Sequence, residues 1–180
     1  DTTTARHAPG GNGVSSTMAA TLGIGVPCLA NLIGSSPNVE PENVVLAGVR
    51  AIDATEIENI RRSGVTEVYT MRDIDERGMR TVIEEALRMA GRGTAGYHVS
   101  LDMDWIDPED APGVGTPVRG GAPYREAHLA MALIAHPGRM TSFDLVEVNP
   151  VLHEHNPPPH LPVHTSPPPL APTTPDPSLQ

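Results

Sequence analysis

The stretch "SLDMDWIDPEDAPGVGTPVRGG", residues 100–121, decides how this chain is read. It holds Asp102, Asp104, Asp107 and Asp110, the first two among Leu101, Met103, Trp105 and Ile106. Unneutralised carboxylates beside apolar neighbours are costly, so a fold that keeps them there has to compensate them. "YHVSLDMD" reads as a strand, and in extended backbone a spacing of two puts Asp102 and Asp104 on the same side. Two carboxylates about 4 Å apart repel by roughly 4 kcal/mol at an effective dielectric near 20, and a bound divalent cation reverses that sign. Carboxylate oxygens are hard donors, which favours Mg²⁺, Ca²⁺ or Mn²⁺. The plainer alternative is that one aspartate caps the next turn and the other is solvated. Asp107, which precedes Pro108, and Asp110 read as turn formers. "APGVGTPVRGGAP" then makes a long loop over the strand ends, where loops often carry function.

Outward from this stretch, strand and helix patterns alternate. "NVVLAGV" reads as a buried strand and "DATEIENIRRSG" as a helix with Asp53 as its capping candidate. "TEVYTM" is a second strand; "DERGMRTVIEEALRMAGRG" is one amphipathic helix with Met79, Val82, Ile83, Leu87 and Met89 largely on one side. After the aspartate strand come a helix, "YREAHLAMALIAH", and a fourth strand, "MTSFDLVEV". This order predicts an α/β fold, a three-layer αβα arrangement with a mostly parallel sheet covered on both faces. In such a sheet, ligands bind beyond the carboxyl ends of the strands, where Asp102 and Asp104 lie.

Composition bounds the partners. At 180 residues the chain is long enough for one domain with a core of its own. A formal net charge of -10 disfavours nucleic acid and anionic membrane surfaces, both of which reward clustered Lys and Arg, and suits a small cationic or neutral ligand. Cys28 is the single cysteine, so no internal disulfide forms, and a reducing, cytoplasmic setting is expected. The uncharged run "MAATLGIGVPCLANLIG" is broken by glycines and Pro27, which predicts two short helices around a loop and no membrane span. The opening "DTTTARHAPGGN" has no signal-peptide pattern, and an Asp at position 1 suggests an excised or truncated chain. Residues 151–180 hold ten of the twenty prolines and four of the eight histidines without apolar period. Residues 1–156 are therefore expected to carry the domain and 157–180 a disordered, polyproline-like tail, whose histidines are read as solvated.

"SLDMDWIDPEDAPGVGTPVRGGAPYREAH" followed by "SFDLVEVNPVLHEHN" resembles the C-terminal half of the arginase branch of the ureohydrolases, over residues 1 to about 156. "EVNP" favours that branch over the agmatinase-like relatives. The resemblance implies a partial arginase-like domain and a manganese-dependent hydrolase that turns L-arginine into L-ornithine and urea. It implies Asp102 as a carboxylate shared by two Mn²⁺ ions, Asp104 as a ligand of the second, and Asp1 as the last residue of a ligand motif. Thr116 and Glu147 would line the guanidinium pocket, Glu147 pairing with the cation. Asp53 and Glu56 would hold the α-amino end of the substrate and Asn12 its α-carboxylate. A homo-oligomer is implied for the intact form. The chemistry is coherent: a guanidinium carbon is a poor electrophile, and metals acidify water from about pKa 15.7 toward 7.

Departures from the pattern accompany the match. The other metal-binding side chains that the resemblance implies fall before residue 1, leaving at most Asp1, Asp102 and Asp104. Val14 in "GNGVS" stands where a proton-shuttling histidine is expected, and Gly10 where a serine contacts substrate. His98 and His128 are read as structural, Arg125 and Glu126 as surface or capping residues. A non-catalytic, truncated remnant is the alternative of a different class, and a relative acting on another guanidino compound such as agmatine is a third. Sheet edges stripped of neighbours would invite association.

Overall fold

The computed structural model describes residues 17–24, 27–32, 34–50, 54–115 and 117–149. Two short helices come first, α1 (Thr17–Thr21) and α2 (Pro27–Ala30), as the broken apolar run requires. Among the described residues no helix is long and apolar enough to cross a membrane. Next follow β1 (Val45–Val49), α3 (Ala54–Ser63), β2 (Glu67–Thr70), α4 (Met71–Arg77), α5 (Met79–Ala90), β3 (Tyr97–Asp102), α6 (Tyr124–Ala135) and β4 (Met140–Val146). The strand–helix–strand connections give parallel pairing twice. β1 runs beside β2 from Val45↔Glu67 to Val49↔Thr70, and β3 beside β4 from Tyr97↔Met140 to Asp102↔Val146. Among the described residues, the strands form these two parallel pairs and no hydrogen-bonded ladder joins them.

Helices α5 and α6 build the main core. Met79, Val82 and Ile83 from α5 and Ala130, Met131 and Ile134 from α6 meet Tyr69, Tyr97, Leu101 and Met140 from the strands. A fully buried aliphatic side chain such as Val82 contributes about 1.5–3 kcal/mol of transfer free energy. A second cluster, Met103, Ile106, Ala111, Val114 and Ala127, lies under the loop that follows β3. The opposite side of β3 and β4 is polar: His98 and Ser100 on one strand and Ser142 and Asp144 on the other are exposed.

Two expectations about element boundaries are corrected. The helix predicted across 75–93 is two helices. Thr70 and Asp73 form a reciprocal capping box that starts α4 at Met71, and Gly78, at φ 83 and ψ 145, leaves helical geometry before α5 begins. The strand predicted through Asp104 ends at Asp102, and Met103–Trp105 form a 3₁₀ turn. The run 151–180, including the predicted tail, lies outside the described residues.

An aromatic contact is one of the links between the two parallel pairs. Gly48 interrupts the β1–β2 register with φ 79, and a Cβ at that position would lie 2.0 Å from Trp105 Nε1. The indole thus packs where only glycine leaves room.

Candidate functional site

The chemistry-bearing segment begins where β3 stops. Asp102 is the N-cap of the 3₁₀ turn, and its Oδ1 accepts the backbone N–H of Asp104 at 2.8 Å. The two aspartates are neighbours because the chain turns between them, so the extended-strand reason for their pairing is replaced by a capped turn. That cap is also what the plainer sequence reading anticipated for one aspartate. The Oδ1 atom of Asp104 is buried. Burial raises the Asp102 carboxyl above its ordinary range; the Asp104 N–H draws it back down and the Asp104 charge pushes it up again.

Glu147 enters from the adjacent strand. It follows β4 directly and holds φ 58, a left-handed backbone uncommon for a residue with a Cβ. That conformation ends the strand and lets the chain double back. Val148 then forms an antiparallel bridge with Val114, and the Asn149 N–H donates to Gly113 O at 2.9 Å. Residues 113–114 and 148–149, remote in sequence, are thereby zipped together. A Cβ built on Gly115 would stand 3.4 Å from Glu147 Oε2. Partial burial first, then the charges of Asp102 and Asp104, raise the Glu147 carboxyl. As the residue remains exposed overall, solvent weakens both effects.

Asp107 and Asp110 organise the loop, as their reading as turn formers anticipated. Asp107 Oδ1 accepts the Glu109 N–H at 3.0 Å, and its Oδ2 accepts Gly120 and Gly121 N–H at 2.8 and 3.1 Å. These bonds, the Glu109 one foremost, hold the Asp107 carboxyl below its ordinary range. Asp110 Oδ2 accepts the N–H of Tyr124, the first residue of α6, at 2.8 Å. The loop is closed at its base by a parallel bridge between Ile106 and Ala122. One residue at the site had no signal in the sequence: Arg50, just past β1, donates to backbone carbonyls of the aspartate turn and of this loop.

The structure brings Asp102, Asp104 and Glu147 into mutual electrostatic reach. Asp1, Asn12, Asp53 and Thr116 lie outside the described residues, as do Gly10 and Val14. Glu56 is on α3, but its side chain is not among those described. His98 belongs to the exposed sheet surface, where its Nδ1 shares a 2.7 Å hydrogen bond with Ser142 Oγ and its Nε2 is 3.3 Å from Asp144. His128 is exposed on α6 with its ring 5.9 Å from that of Tyr124. Arg125 is exposed on the first turn of that helix, and Glu126 is partly buried there.

Three carboxylates, two of them raised, share this region with one fixed cation, Arg50. Their donor atoms are hard oxygens, which fit a divalent cation such as Mn²⁺. The fit is partial: among the described residues no group of three or more His, Cys, Asp or Glu side chains is close enough to hold a metal ion unaided.

The profile of the arginase family matches residues 1–161. The chain is 49% identical over 156 residues to arginase from Bacillus caldovelox, covering 87% of this chain and 52% of that protein. The same figures hold for arginase from Bacillus subtilis. The solved structure of the Bacillus caldovelox arginase superposes with a TM-score of 0.85 at 46% identity, covering 91% of this chain and 55% of that one. The chain thus spans about half the length of the relatives it matches.

Proposed function

Since the chain belongs to the arginase family, we propose that it carries the acidic strand-tip portion of a manganese-dependent site that hydrolyses L-arginine to L-ornithine and urea. The observation that carries this is the convergence of Asp102, Asp104 and Glu147 at the ends of β3 and β4, where each raised carboxyl owes part of its shift to its neighbours.

In this reading Asp102 and Asp104 hold Mn²⁺, with Asp1 as a further ligand. Bound metal supplies charge neutralisation and Lewis acidity, lowering the pKa of water from about 15.7 toward 7. Glu147 pairs with the substrate guanidinium through charge-assisted hydrogen bonds, and its backbone, locked by the Val114–Val148 bridge, keeps that carboxylate beside the aspartates. Thr116, next to Gly115, completes the guanidinium pocket. Asp53 and Glu56 take the α-amino group and Asn12 the α-carboxylate, which selects an amino acid over a decarboxylated amine. The protein works as a homo-oligomer in the cytoplasm.

A second reading is favoured by one observation, the lack of a group of three ligands among the described residues. Two Mn²⁺ ions need more donors than Asp1, Asp102 and Asp104 provide, so the 180 residues by themselves would bind without turning over. Metal analysis together with a urea-release assay separates the two. Near-stoichiometric manganese with urea formed from arginine supports autonomous catalysis; manganese without urea supports the binding-only reading; neither metal nor urea rejects the site altogether. Faster release from agmatine than from arginine would reassign the substrate.

A further inference from the structure

Arg50 stands immediately after β1, and its guanidinium reaches three backbone carbonyls in two other segments. Nη1 donates to Trp105 O at 3.1 Å, and Nη2 donates to Val118 O at 2.9 Å and to Asp104 O. Trp105 O also accepts the Ala122 N–H at 3.0 Å, so the base of the loop and the aspartate turn share one acceptor. Arg50 Nε is buried without a hydrogen-bond partner among the described residues, a cost that a residue serving only solubility would not carry. A planar fork can span carbonyls at fixed angles; a lysine ammonium offers a single point of charge.

We propose that Arg50 is a positioning residue for the aspartate turn, its guanidinium fastening the Asp104–Trp105 backbone and the Val118 loop to β1 so that the Asp102 and Asp104 carboxylates are presented together to a divalent cation. This rests on the cation site proposed above. The role is geometric and works against simple electrostatics, because a fixed positive charge near the site opposes a second cation. The sign of the effect therefore distinguishes the two. If Arg50 acted only through its charge, its removal would tighten Mn²⁺ binding. Removal of a group that orients ligands weakens metal affinity by about 10- to 100-fold.

The experiment uses the 180-residue chain and its Arg50→Ala and Arg50→Lys variants, with circular dichroism to verify folding. Mn²⁺ binding is followed by electron paramagnetic resonance, and the turn by the emission of Trp105, the only tryptophan. Both variants are expected to bind Mn²⁺ about tenfold more weakly or worse, with a red-shifted, more easily quenched Trp105 emission. Val65→Ala, which perturbs the separate Leu22–Val44–Val65 cluster, should keep both wild-type signatures despite its lower melting temperature. Wild-type titrations in Arg50→Lys, or tighter binding in Arg50→Ala, would overturn the proposal. If Arg50→Ala does not fold, Arg50→Lys decides. If the unsubstituted chain takes up no Mn²⁺, the cation site itself fails, and the hold of Arg50 on the turn is then decided by Trp105 emission: an unchanged spectrum in both variants rejects it.

Discussion

At the scale of single residues, the acidic turn sets a testable pH dependence. Asp102 and Glu147 have folded-state carboxyls raised above their ordinary values, so the fold prefers their protonated forms. Their destabilising effect grows as pH rises from the ordinary carboxylate range through the raised values and is complete above them. Mn²⁺ should reverse it: the melting temperature rises on adding Mn²⁺ at neutral pH, and the rise fades on acidification as protons compete for the same oxygens. Calorimetry with and without the metal checks this, and an increment that persists at acid pH would contradict it. Asp102→Asn keeps an acceptor for the Asp104 N–H but removes one charge. It should melt no lower than the parent without metal and lose the Mn²⁺ increment. Gly48→Ala meets both a positive φ and the Trp105 ring, so denaturant unfolding should show a loss on the order of 2 kcal/mol or more. The sequence made the acidic turn conspicuous because aspartates amid apolar residues demand an explanation. Arg50 stayed hidden because the carbonyls it binds are 54 to 68 positions away, and no local pattern reports a contact at that range.

Secondary-structure elements show the same division between local and distant causes. Apolar spacing located α5, since Met79, Val82 and Ile83 recur at helical intervals and are buried. The break at Gly78 was missed because its neighbours on both sides are good helix formers, and a lone glycine costs too little by propensity to declare a stop. The positive φ of Gly78 makes the break, while the start of α4 is set by the Thr70–Asp73 box, in which Asp73 Oδ2 accepts Thr70 N–H at 2.7 Å and Thr70 Oγ1 accepts the Asp73 N–H. Thr70→Ala removes half of that box and should cost about 1 kcal/mol, read as a lower thermal midpoint. The Asp73 carboxyl is held below its ordinary range, first by its bond to the Thr70 hydroxyl, so it adds stability above the ordinary carboxylate pKa that is lost as pH falls through the lowered one. The deficit of Thr70→Ala should therefore shrink in strong acid. The end of β3 was likewise misplaced by two residues: "LDMD" alternates like a strand, and only the cap formed by Asp102 shows that it turns.

For the molecule as a whole, two parallel pairs joined by the shared α5–α6 core, by Trp105 on Gly48 and by the Arg50 clamp are a scaffold with open borders. Among the described residues each pair ends in strands with one unsatisfied side, a feature that favours association. Light scattering of the chain in solution is expected to show mass rising with concentration; a strictly monomeric species across the range would count against it. The antiparallel bridge between Val114 and Val148 has a consequence for trimming. A polypeptide shortened to Val146 retains every strand but releases the 113–115 segment, whereas one shortened to Asn149 retains the clip. Limited digestion should accordingly find the 111–121 region resistant in the longer form and susceptible in the shorter. The three positions past the final strand thus serve as a latch for a loop born much earlier in the chain.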